Sequence, residues 1–387
     1  MATQPRIEGI CDRRFEPLRE AFAENFVTYG ETGAAVAVMR DGALVVDLWA
    51  GHVDTARTQP WERDTIANVY STTKGMTAIC AHRLVDQGRL DLDAPVSKYW
   101  PEFGQNGKAH LPVHYLLSHR AGMAAVRRQL PPTAAFEWDT MTTTLAEQEP
   151  WWEPGTKHGY HALTYGWLVG EVVRRISGKS LGTFFRDEVA QPLGVDFHIG
   201  LSEADDGRVA PLIPPPPPTA EQLDMLAEIL RDPDSLLAKS LINPPILPET
   251  ANTREWRAAE IPAANGHGNA RALARVYGAL AAGGTVDGTR VLSQASIERA
   301  LGEQADGPDA ILPLHTRFGL GFQLSTPYEK LGPNPRMFGH GGMGGSMAFA
   351  DPDTGLGFGY VMNEMHTGIY LIDPRAAALS AALYSCL

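Results

Sequence analysis

Ser71 and Lys74 stand three residues apart in Ser71-Thr72-Thr73-Lys74. Residues three apart on a helix share a face, so this spacing lets a lysine amine reach a serine hydroxyl one turn earlier. A serine at a helix N-terminus also has a free backbone N–H for an oxyanion, and the positive end of the helix favours developing negative charge. The chemistry is nucleophilic acyl transfer, in which the hydroxyl attacks a carbonyl and the amine manages its proton. With 14 serines and 7 lysines in 387 residues, chance supplies roughly a quarter of one such match. The chain holds this one and no other. Taken alone, the pattern fits a capped helix with a surface lysine equally well.

Two further segments break the tie. Tyr160 follows the Pro154-Gly155 turn in Trp151-Trp152-Glu153-Pro154-Gly155-Thr156-Lys157-His158-Gly159-Tyr160, a place from which a phenol can point into a cleft. Phe338–Ser346 carries five glycines, which weaken a sheet unless something must approach the backbone closely. A core tyrosine and a plain hairpin would explain each segment separately, but not their occurrence in this order beside the serine–lysine pair. His158 and His161 lie three apart without an acidic or third ligand nearby, and the chain has no H-E-x-x-H. They read as packing residues, and neither a metal nor a cofactor is expected.

One competing motif fails on context. Gly178-Lys179-Ser180-Leu181-Gly182 matches G-x-S-x-G, but that motif needs a strand before the serine, and Leu163–Ile176 has helical spacing. The Gly-Lys-Ser within it also lacks the first glycine of a phosphate loop, since Val173 stands there. Ser180 is expected to cap a helix.

The elements that must hold these residues follow from periodicity. Phe15–Tyr29 is spaced as a helix; Ala34–Met39 and Ala43–Trp49 flank an Asp41-Gly42 turn and form a hairpin. Near the other end, Gly319–Leu324, Ser346–Ala350 and Gly357–Met362 read as strands, and Arg375–Tyr384 as a closing helix. Between them, 75–87, 162–177, 181–190, 220–231 and 269–282 are helical in pattern, while Pro214–Pro218 must be an exposed extended segment. The expected architecture is α/β in the α+β sense, an antiparallel sheet flanked by helices and built from both termini. A sheet domain of residues 1–75 and 304–387 is interrupted by a mainly helical domain, 76–303.

Composition narrows the function. A formal net charge of −12 excludes a basic footprint for nucleic acid and disfavours anionic membranes. No apolar run is long enough to span a bilayer. Cys11, Cys80 and Cys386 form neither a close pair nor a zinc pattern, and Met1–Arg19 has no signal-peptide core. A cytoplasmic protein with reduced thiols is expected. Oligomeric state is not legible.

Ser71-x-x-Lys74, then Tyr160, then His340-Gly341-Gly342 resemble the three motifs of penicillin-recognising serine hydrolases: class C β-lactamases, serine DD-peptidases and, above all, family VIII carboxylesterases. Leu116-Leu117-Ser118-His119-Arg120-Ala121-Gly122-Met123 is similar to that group's Leu-Leu-x-His-Thr-Ser-Gly-Leu stretch, and Gln191-Pro192-Leu193-Gly194-Val195 to its Pro-Leu-Gly-Met turn. The resemblance spans about residues 15–385 and implies the same terminal-sheet fold. It implies Ser71 as nucleophile and Lys74 and Tyr160 as the acid/base pair. By the same resemblance, the backbone N–H groups of Ser71 and Met343 are expected to form the oxyanion hole, and His340, Gly341 and Gly342 to bind substrate. Tyr160 is the expected general base, its phenol lowered by the Lys74 charge, although either group could take the serine proton.

Two departures bear on substrate. Tyr160-His161-Ala162 replaces the lactamase Tyr-x-Asn, and Ala162 cannot supply the amide's hydrogen bonds. His340 replaces the lysine of Lys-Thr-Gly, exchanging a permanent cation for a group mostly neutral near pH 7. Both weaken β-lactam recognition, so the expected activity is hydrolysis of small carboxylic esters. A β-lactamase, a D-aminopeptidase-like amidase, an acyltransferase and a catalytically silent scaffold are the alternatives.

Overall fold

A computed structural model describes residues 5–246, 248–366 and 371–387. Its frame is a nine-stranded antiparallel sheet that draws strands from both ends of the chain. In chain order these are β1 (Glu8–Cys11), β2 (Gly33–Arg40), β3 (Ala43–Gly51), β4 (Ala305–Pro308), β5 (His315–Phe318), β6 (Gln323–Leu324), β7 (Phe338–Gly341), β8 (Met347–Asp351) and β9 (Leu356–Met362). Across the sheet they run β1-β3-β2-β9-β8-β7-β6-β5-β4. The central pair, β2 and β9, joins the two ends of the chain from Leu356↔Arg40 to Met362↔Ala34.

Both faces of this centre are covered, which explains why β2 is buried along nearly its whole length rather than on alternate residues. On one face, α1 (Glu16–Thr28) and the C-terminal helix Pro374–Ser385 bury Phe22, Phe26, Leu379 and Leu383 against Val36 and Val38. On the other, Ala35, Ala37 and Met39 face the larger core, which includes Leu273, Val276 and Tyr277 of the helix Ala270–Ala281. That helix lies unusually close to β9. A Cβ on Gly357 would stand 2.1 Å from the Gly278 nitrogen and 2.4 Å from Ala274 O, so the approach depends on glycine at position 357.

Between β3 and β4 the chain supplies α2 (Thr73–Asp86), α3 (Thr164–Ser177) and several shorter helices. Most of α2 is buried, because it is clasped by α3 and by the Ala270–Ala281 helix; a Cβ on Gly75 would meet Tyr277 Oη at 2.1 Å. Gly178 ends α3 in a left-handed conformation, and Ser180 Oγ accepts from Thr183 N–H as an N-cap, so the G-x-S-x-G sequence is a helix–helix connection. Pro214–Pro218 has no regular structure and is largely exposed. Among the described residues no helix is long and apolar enough to cross a membrane.

Two expectations need correction, and three strands were not expected at all. Gly319–Leu324 is not one strand: β5 ends at Phe318, the chain bends through Gly321 at φ +92°, and only Gln323–Leu324 rejoin the sheet. Gly321 N–H bonds to Leu117 O at 2.9 Å, so the bend ties the sheet to the helical segments. The 181–190 helix is regular only over Leu181–Phe185, then widens by one residue per turn through Arg186–Ala190. Strands β1, β4 and β5 lie towards the two edges and are partly exposed, so they carry no apolar period to find.

Candidate active site

Ser71 occupies a single tight turn, Tyr70–Thr72, directly before α2. Tyr70 is held at φ +41°, a conformation that costs a non-glycine residue roughly 1–3 kcal/mol. Surrounding structure holds it there: Val69 N–H bonds to Gly266 O at 2.9 Å, and the Tyr70 ring lies 6.1 Å from that of Trp256. The strain therefore sits immediately before the serine.

Lys74, one turn into α2, is completely buried. Its Nζ lies 3.0 Å from Ser71 Oγ, 2.8 Å from Ala162 O and 2.9 Å from Ala263 O. Among the described residues no carboxylate pairs with it, and burial pulls its pKa well below the usual lysine value. A neutral amine has two N–H donors and one lone pair. The two carbonyls can only accept, whereas the serine hydroxyl can donate, so this set of neighbours suits the neutral form.

Tyr160 reaches the same point from the segment after Pro154-Gly155. Its ring lies 4.8 Å from Lys74 Nζ and stacks on Phe318, 6.1 Å away at 12°. Burial raises the phenol pKa above its ordinary value; the adjacent Ser71 hydroxyl opposes this and Asp309 adds to it. The sequence-based expectation was the reverse. It let a lysine charge outweigh burial of the phenol, and in the folded chain burial dominates.

Neighbouring histidines are structural. His161 Nδ1 donates to Gly159 O at 2.7 Å and Nε2 accepts from Met123 N–H at 3.1 Å, which fixes a neutral tautomer; burial holds its pKa near about 4. His119, from the Leu116–Met123 stretch, accepts at Nδ1 from His161 N–H (3.1 Å) and packs 5.0 Å from the Tyr160 ring. Ala162 packs its methyl against the cluster around Tyr160, and its carbonyl holds Lys74.

The glycine-rich segment closes the site from the sheet side. His340, at the end of β7, donates from Nδ1 to Gly341 O at 2.6 Å. Its buried Nε2 has no partner among the described residues. Burial lowers its pKa to about 3, so the ring is neutral. The turn from β7 to β8 is closed by Gly342 N–H to Ser346 O (2.7 Å) and Gly345 N–H to Gly342 O (3.0 Å). Ser346 Oγ donates to Val69 O at 2.7 Å and lies 3.0 Å from Thr72 Oγ1, clamping the turn to the serine segment. The Met343 side chain at its tip is 56% exposed. Within the described residues, neither Ser71 nor Met343 uses its backbone N–H in a hydrogen bond, so both donors are available to an oxyanion.

Sequence reasoning missed three supports. Ser346 and Thr72 form the clamp just described. Arg375 is fully buried and donates to Asp373 (2.9 Å), to Glu364 O (2.8 Å) and to Gly344 O in the turn. Asp309 accepts from Tyr160 N–H at 3.0 Å. Thr72 and Ser346 sit within the motif segments themselves, whereas Asp309 and Arg375 lie outside them; the available signal for Arg375 was an arginine inside an Ala-rich, otherwise apolar helix.

This arrangement of sheet, buried helix and serine–lysine–tyrosine cluster has known counterparts. The Beta-lactamase family model matches residues 12–382. Esterase/beta-lactamase LipL of Mycobacterium tuberculosis is 39% identical over 372 residues, 95% of this chain and 85% of that one. A solved family VIII carboxylesterase superposes with a TM-score of 0.91 at 44% identity, covering 99% of this chain and 100% of the other. A penicillin-binding protein homologue from Caulobacter crescentus gives 0.89 at 40% identity, covering 99% and 100%. The chain belongs to the beta-lactamase family, as the order of its three motifs suggested, and is a serine hydrolase built on that fold.

Proposed function

We propose that this hydrolase is a carboxylesterase that cleaves small, uncharged esters through an acyl-enzyme on Ser71. The observation that carries the proposal is the environment of Lys74: a buried amine with two carbonyl acceptors, the Ser71 hydroxyl and no anion. Ser71 Oγ attacks the ester carbonyl and its proton passes to neutral Lys74. The negative oxygen of the tetrahedral intermediate accepts from the N–H groups of Ser71 and Met343. Collapse expels the alkoxide, which takes the Tyr160 phenol proton, and the Lys74 ammonium reprotonates Tyr160. Water then enters, gives its proton to the same pair and releases the acid, regenerating Ser71.

Substrate class follows from what the site offers. The neutral ring of His340 carries no charge for a substrate carboxylate, and Ala162 has no amide for an antibiotic side chain. Leu236 and Leu237 pack against the cluster containing Tyr160, Trp152 and Ile311, which favours an apolar acyl group. Its proposed compartment is the cytoplasm, where Cys11, Cys80 and Cys386 stay as thiols.

The decisive experiment compares Ser71→Ala and Ser180→Ala on p-nitrophenyl butyrate. Ser71→Ala is expected to lose nearly all turnover while folded, and Ser180→Ala to keep it. An organophosphonate adduct mapped by mass spectrometry to any residue but Ser71 rejects the nucleophile. Nitrocefin turnover exceeding that of the ester would favour a lactamase instead.

A further inference from the structure

Resting on the reading of Tyr160 as a proton carrier, we propose that Asp309 is its positioning residue. The Asp309 side chain is fully buried in the loop between β4 and β5, remote in sequence from every motif. Oδ1 accepts from three backbone N–H groups: Tyr160 at 3.0 Å, Ile311 at 2.8 Å and Leu312 at 3.0 Å. Oδ2 accepts from Thr316 Oγ1 at 2.9 Å, and the same oxygen of Thr316 lies 2.9 Å from His158 Nε2. Because the Thr316 proton points to the carboxylate, His158 must donate from Nε2. The order is His158 N–H to Thr316 O–H to Asp309, with no donor or acceptor misplaced.

Four donors converge on this one buried carboxylate. Each also fixes part of the site. The Oδ1 bonds tie Tyr160 to the loop carrying Ile311 and Leu312, which pack in the cluster around the phenol. The Oδ2 chain fixes His158, two residues before Tyr160, and Ala310 N–H bonds to His158 O at 3.1 Å. The Tyr160 segment is therefore hung from the sheet through one carboxylate. Asp309 touches none of the reacting atoms; it sets where the phenol stands relative to Ser71 and Lys74.

Three variants test this against p-nitrophenyl acetate, with thermal unfolding as the check on folding. Asp309→Ala is expected to lower kcat about 100-fold, the effect of a misplacement near 1 Å, with KM changed less than about threefold. Asp309→Asn keeps an oxygen for the three N–H groups, and its amide can donate to Thr316; it is expected to restore kcat to within about fivefold of the parent. Thr316→Val removes the Oδ2 donor and the acceptor of His158 while leaving the three N–H bonds to Oδ1, and is expected to lower kcat about tenfold at unchanged KM; it decides the matter should Asp309→Ala fail to fold. Folded Asp309→Ala or Thr316→Val with parental kcat overturns the proposal, as does an Asp309→Asn no better than Asp309→Ala. An active Ser71→Ala would instead overturn the functional reading itself.

Discussion

Gly342→Ala probes the oxyanion turn with a single methyl. The new carbon would stand 2.2 Å from both Val69 O and Ser346 Oγ, where ordinary contact begins at 3.4 Å. About 1.2 Å must therefore open between the turn and the serine segment. Val69 O is backbone two residues before Ser71 and Ser346 Oγ is already bonded to it, so neither can give way cheaply. Moving the turn by that amount takes the Met343 N–H from hydrogen-bond distance to about 4 Å from an oxyanion, and one lost donor costs about 10²–10³ in kcat, or roughly 3–4 kcal/mol of transition-state stabilisation. Overpacking should also cost about 1–3 kcal/mol of stability, read as a modest fall in Tm. The assay is steady-state hydrolysis of p-nitrophenyl acetate well below the variant's Tm; kcat should collapse while KM shifts little. Gly178→Ala is the control. Its Cβ meets nothing within 4 Å, and its φ of +74° costs backbone energy alone, so Tm should fall and kcat should not. Gly342→Ala with a lowered Tm and parental kcat would refute the role given to Met343.

Two other predictions concern stability. His161, His267 and His340 are buried neutral, with pKa values lowered to about 4, 3 and 3. Below the ordinary value of about 6.5 the unfolded chain binds protons that the folded one refuses, so stability falls with pH from about 6.5 towards 4, by up to about 1.4 kcal/mol per pH unit for each ring. Thermal midpoints across that window should drop steeply and His267→Asn should flatten the profile; a level profile counts against it. Arg375→Met strands Asp373 and Glu31 without their cation and frees Gly344. It should cost about 3–5 kcal/mol by chemical denaturation, and any folded fraction should hydrolyse esters poorly; a stable, fully active variant would contradict it.

Much of this site was legible because its chemistry depends on local spacing. Ser71 and Lys74 meet across one helical turn, and that follows from three residues of separation. The central strands were legible for a similar reason: β2 and β9 are continuous apolar runs, as strands covered on both faces must be. What escaped was set by tertiary structure. Asp309 and Arg375 are ordinary charged residues until folding buries them beside Tyr160 and Gly344. The downward pull on the Lys74 pKa was equally hidden, since it comes from complete burial rather than from neighbours in the chain. Gly321 looked like part of a strand because a left-handed bend leaves no trace in hydropathy.

The pairing of β2 with β9 has a consequence for how the chain is made. Residues 34–40 find their partner only at 356–362, so the centre of the sheet closes a loop of more than three hundred residues. Such a closure costs about 5 kcal/mol of chain entropy before any contact repays it. During synthesis from the N-terminus, Ala34-Ala35-Val36-Ala37-Val38-Met39 must wait with one edge unpaired until residues 356–362 emerge. That exposed apolar edge is a template for pairing with other chains. A product truncated before residue 356 should thus accumulate as aggregate rather than as a slower enzyme.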